Sequence, residues 1–100
     1  MSTELQRAIG RVVEGTRYWS PARWSSGAGA MHGLVQALAD VSADAEGQPR
    51  RPVPRLPNDM HLPDQLQVIG LDLLDVEADL TETQRETVDA AIQEARAELF

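Results

Sequence analysis

Four prolines fall within nine residues near the middle of this 100-residue chain, at Pro49, Pro52, Pro54 and Pro57, and they limit its folding more than any other feature. Each removes a backbone donor and disfavours the helical region for the residue before it, so no helix is expected through 48–57. An extended, partly polyproline-like connector is expected instead, long enough to cross one end or one side of a helical assembly.

On both sides of this connector the apolar residues recur at helical spacing. Leu5, Ile9, Val12, Val13 and Thr16 predict a first helix from Thr3 or Glu4 to about Tyr18. Gly10 and Gly15 weaken it, and Gly10 has a second reading as a point of close approach to another helix. Ser20-Pro21 is a helix-start pair, serine capping free amides and proline fitting the first position. One turn over 21–24 is expected there, loosened by Ser25-Ser26-Gly27-Ala28-Gly29, with the second helix running from Ala28 or Ala30 to about Asp44 and Gly47 ending it. Met31, Leu34, Val35, Leu38 and Val41 are its apolar face.

After the connector, Leu62, Leu66, Ile69, Leu73 and Val76 predict a third helix from Leu62-Pro63-Asp64 to Glu77 or Asp79, with Gly70 permitting a tight crossing. Val68, Leu71 and Leu74 widen its stripe, so it is expected to be sandwiched between neighbours or used at a subunit contact. Thr81 and Gln84 have the spacing of a capping box, which starts a last helix reaching the terminus on Val88, Ile92, Ala95 and Leu99. Arg85 and Asp89, four residues apart, are placed to pair on its surface. No sustained alternation argues for a sheet. The expectation is a single all-α domain over 1–100, a compact four-helix bundle-like fold with a long proline-rich connector between helices 2 and 3; three helices plus an excursion over 18–30 is its competitor.

Composition narrows the function classes. Without cysteine the chain has no disulfide, thiol nucleophile or thiolate-held metal. Met1-Ser2-Thr3-Glu4 does not lead a basic segment into an apolar run, and no apolar stretch reaches the ~20 residues of a bilayer span, so a cytoplasmic protein away from membranes is expected. The net charge of −7 disfavours nucleic acid. That charge is uneven: residues 72–98 carry nine acidic side chains against Arg85 and Arg96.

Candidates for chemistry are sparse. His32 and His61, the two histidines, could join Asp59 or Asp64 as a metal set only if the fold brings them together. Asp72, Asp75 and Asp79 share one helix face, which reads equally as a solvated surface; they lack the spacing of a calcium loop. Gly27-Ala28-Gly29 precedes a helix but lacks the lysine and flanking strand of a phosphate loop, and reads as a flexible turn. No catalytic, cofactor-binding or metal-binding residue is assigned.

Two segments carry partner-binding chemistry. Arg17, Tyr18, Trp19, Arg23 and Trp24 set aromatic rings beside guanidinium groups, a combination suited to interface anchors, although both indoles also suit closure of the core. Arg50, Arg51 and Arg55 stand among the connector prolines, in a pattern that fits an aromatic groove or simply clamps the fold through Val53 and Leu56. The expected function is a non-enzymatic protein-interaction or regulatory module, with a protein partner or a homodimer mate. The alternatives are a small-molecule-binding or enzymatic domain with a pocket near His32 and His61, and an acidic inhibitor mimicking nucleic acid.

Overall fold

A computed structural model describes residues 3–100. Among them are four α-helices and no strand: α1 (Thr3–Thr16), α2 (Pro21–Glu46), α3 (Leu62–Asp75) and α4 (Glu82–Leu99). Single 3₁₀ turns, Asp59–His61 and Glu77–Asp79, precede and follow α3. The helices pack compactly around one cluster of buried side chains, with α2 against both α3 and α4, and α1 mainly against α3.

α1 ends at Thr16, two residues earlier than its periodicity predicts. The Thr16 hydroxyl donates to the Val12 carbonyl at 2.8 Å, which satisfies a polar group that is fully buried. Trp19 N–H closes a turn onto the Thr16 carbonyl, at 3.2 Å, so Trp19 leaves the helix and swings inward.

α2 departs most from expectation. The anticipated break at Ser25–Gly29 is absent, and the helix runs unbroken for 26 residues. At ~1.5 Å per residue that is about 39 Å, close to the molecule's 38 Å long axis. Ser20 accepts from Arg23 N–H at its start. Ser25 and Ser26 donate their hydroxyls back to the Ala22 and Arg23 carbonyls, at 2.6 and 3.1 Å, and so are satisfied without leaving the helix. Gly27 and Ala28 are buried, and a β-carbon on Gly27 would lie 2.8 Å from Trp19 Cζ3. Two of the small residues that suggest a loop, Gly27 and Ala28, are a contact surface, and packing there overrides the weak helix propensity of glycine. Gly47 ends α2 at φ 69°, with Gln48 N–H returning to the Ala43 carbonyl at 2.9 Å.

α3 stops at Asp75, earlier than predicted, because Val76 turns out of the helical region and the following 3₁₀ turn delivers Leu80 into the core. Arg85 donates to the Glu77 carbonyl at 2.8 Å and braces this turn, in place of the anticipated pair with Asp89. Gly70 sits at a tight crossing, since a β-carbon there would lie 2.9 Å from Ile9 Cγ2. Gly10 does not: the space beside it is open.

The capping box of α4 is formed as its spacing predicts. Thr81 Oγ1 accepts from Gln84 N–H at 3.1 Å, and Gln84 Oε1 accepts from Thr81 N–H at 2.9 Å. Thr81→Ala is expected to lower stability by ~1 kcal/mol in urea denaturation, with the slope unchanged. An unchanged midpoint would show that the cap contributes nothing.

Candidate functional site

The aromatic junction and the connector are opposite in character. Trp19 and Trp24 both lie in the core, with ring centroids 4.9 Å apart, and Phe100 meets Trp19 edge-on at 6.0 Å. Arg23 lies over the Trp19 ring, its guanidinium carbon 4.2 Å from the ring centre. Arg17 is half-buried and donates to Glu14 at 3.0 Å. Of the five junction residues, then, Tyr18 and Arg23 are exposed, and the indoles lie in the core beneath them.

The connector is fastened to the helices by its backbone. Val53 N–H donates to Gln36 Oε1 at 2.7 Å, and His32 Nε2–H donates to the Val53 carbonyl at 2.9 Å. Gln36 Nε2 also reaches the Arg51 carbonyl at 3.1 Å, and Gln65 Nε2 reaches the Pro54 carbonyl at 3.0 Å. His32 and Gln36, four residues apart on one side of α2, thereby treat the connector somewhat as a neighbouring strand would. Val53 packs half-buried against the core, whereas Leu56 and the prolines Pro49, Pro52, Pro54 and Pro57 are exposed. An open cleft of about 450 Å³ runs beneath the connector, between Ser42 and Glu46 of α2 and Ile69 and Asp72 of α3.

Gln36→Ala would leave the Val53 amide without its acceptor. The expected result is faster hydrogen exchange at Val53 and a loss of ~1–3 kcal/mol. Unaltered exchange would mean that the connector is held by other contacts.

The connector arginines divide by role. Arg50 clasps Asp44 through two bonds, of 3.0 and 2.7 Å, and lies 3.8 Å from Asp40. Arg55 reaches Asp59 at 3.3 Å. Arg51, which is exposed, has no carboxylate partner among the described residues. The hydrogen bond from Arg50 lowers the Asp44 pKa below its ordinary value, and the same bond raises that of Arg50. A depressed carboxyl favours the folded state above its ordinary titration range and loses that contribution as pH falls through the folded value. An NMR titration is expected to show the Asp44 midpoint below the ordinary range and Arg50→Ala to return it; identical midpoints in the two proteins would exclude the clasp in solution.

The remaining candidates form no metal-ligating set among the described residues. His61 is exposed at the end of its 3₁₀ turn, and neither histidine lines the cleft beneath the connector. Asp72, Asp75 and Asp79 are exposed, and no group of three or more metal-ligating side chains is present among the described residues. Gly27-Ala28-Gly29 lies inside α2, so it is neither a flexible turn nor a phosphate loop. No helix among the described residues is long and apolar enough to cross a membrane.

Sequence reasoning missed Gln36 and Gln65 as the clamps. The available signal was a polar pair, His32 and Gln36, at helical spacing within the otherwise apolar stretch 28–39 of α2. Comparison with protein-family models, with curated proteins and with solved structures found no match to this chain.

Proposed function

We propose that this protein is a non-enzymatic protein-interaction or regulatory module, a four-helix bundle-like support that displays its proline-rich connector to a protein partner. The observation that supports this reading is the division of labour along 51–57. Backbone groups of Arg51, Val53 and Pro54 are bound by His32, Gln36 and Gln65, while the side chains of Arg51, Pro52, Pro54, Leu56 and Pro57 face solvent. An extended segment ordered in advance loses less entropy on binding than a free peptide.

Arg51, Pro54 and Pro57 suit an aromatic-lined groove bearing an acidic residue at its edge. The acidic side chains of α4, Glu82, Glu86, Asp89, Glu94 and Glu98, then act on approach, repelling acidic surfaces and orienting basic ones.

The test is a titration of the full chain against purified SH3 and WW domains as groove-bearing probes, with Arg51→Ala and Pro54→Ala in parallel. At least one probe is expected to bind with a micromolar constant that weakens tenfold or more, about 1.4 kcal/mol, in each variant. Binding to none, or equal binding by all three proteins, would overturn the reading.

A further inference from the structure

The cleft beneath the connector contains a hydroxyl that the protein does not use. Thr16, Ser25, Ser26 and Thr87 each donate to a carbonyl of their own helix about one turn back. Ser42 of α2 does not: only 7% of it is exposed, and its hydroxyl has no hydrogen-bond partner among the described residues. A buried polar group left without a partner is costly. Ser42 lines the cleft, from which a bound molecule can reach it.

Around Ser42 the walls are apolar and the rim is acidic. Ala39, Ala43, Val53 and Ile69 supply hydrocarbon, whereas Glu46 and Asp72 are exposed carboxylates, one on each helix, without a cationic partner among the described residues. Ser42 and Glu46, four residues apart, are neighbours on one side of α2. Glu46 is the last residue of α2 and Asp72 lies in the last turn of α3; neither helix has a basic side chain in that turn, so the partial negative charge of both C-termini adds to that of the carboxylates. Arg51 is the one cation on the border of the cleft, and two carboxylates with two helix ends outweigh it. No set of three or more metal-ligating side chains is present among the described residues, and hydrocarbon walls suit an organic cation better than a metal ion, which needs oxygen ligands on all sides.

We infer that this cleft is a binding site for a small organic amine. The ammonium sits between Glu46 and Asp72 and donates to Ser42 Oγ, and the hydrocarbon lies on Ala39, Ala43, Val53 and Ile69. The cleft, at about 450 Å³, falls within the ~300–1,000 Å³ of small-molecule sites. Ser42, Glu46 and Asp72 are not among the residues offered to a protein partner, so either reading can fail without the other.

The test is an NMR titration of the full chain at neutral pH with pentylamine, pentanol and pentanoate, which share a hydrocarbon tail and differ in the head group. The amine is expected to shift the Ser42, Val53 and Ile69 amide signals saturably, with a dissociation constant of roughly 1 mM. Pentanol is expected to bind about tenfold more weakly and pentanoate not to saturate. Ser42→Ala is expected to weaken the amine about threefold without lowering the Tm, and Glu46→Gln combined with Asp72→Asn to weaken it about tenfold. Equal binding of the three probes, no saturation by the amine, or unchanged amine binding in the double variant would overturn the inference. So would a lower Tm in Ser42→Ala, which would show that the hydroxyl already has a partner within the protein.

Discussion

Trp24→Ala is expected to be the most damaging single change in this protein. The indole is 1% exposed and packs, tilted by 53°, against Trp19 within the core. Truncating a buried tryptophan to alanine costs ~3–5 kcal/mol, out of roughly 5–15 kcal/mol for a chain of this length. A fall in Tm of roughly 15–30 °C follows, readable by circular dichroism. Tyr18→Ala provides the contrast, because that ring is 88% exposed and its loss is expected to change stability by less than ~0.5 kcal/mol. Similar melting of the two variants would refute this placement of the tryptophans. A binding defect in Trp24→Ala would report unfolding rather than a lost contact, so Tyr18 and Arg23 are the residues with which to probe that surface.

The second large effect concerns Gly27. A β-carbon there meets Trp19 Cζ3 at 2.8 Å and Leu99 Cδ2 at 3.3 Å, and valine adds two further carbons. The Trp19 ring has little room to yield, being held by Trp24, Phe100 and the Arg23 guanidinium. Overpacking of this kind costs ~1–3 kcal/mol, occasionally more, and outweighs the few tenths gained in helix propensity. Gly29, two residues on, is exposed with open space beside it. Gly29→Ala is therefore expected to stabilise by ~0.5–1 kcal/mol, the opposite sign. Urea denaturation of both variants distinguishes a continuous α2 from a loop, in which Gly27→Val would be tolerated and Gly29→Ala would gain nothing.

Much of the fold was legible because it is written in local chemistry. Ser20-Pro21 starts α2, Gly47 ends it, and Thr81 with Gln84 starts α4, each through bonds made within about five residues. The apolar spacing of Met31, Leu34, Val35, Leu38 and Val41, and of Val88, Ile92, Ala95 and Leu99, marked the buried faces of α2 and α4. The connector's lack of helix likewise follows from proline geometry alone.

The candidate surfaces were less legible, since each depends on residues distant in the chain. Whether Gly27 loosens a turn or admits an indole depends on where Trp19 and Leu99 arrive. Whether the connector prolines face solvent depends on Gln36 and Gln65, which hold its backbone from two different helices. Val68 and Leu71 widen the apolar stripe by periodicity, which fits either burial between neighbours or a subunit contact, and they are exposed because no element among the described residues covers that side of α3. The sequence by itself determined the four helices, most of their ends and the absence of helix through the prolines, for periodicity, capping and proline sterics act over a few residues. Only the tertiary structure decided which small residues are contacts, which backbone groups are clamped and which apolar residues remain uncovered, because burial belongs to the packed assembly and not to any one segment.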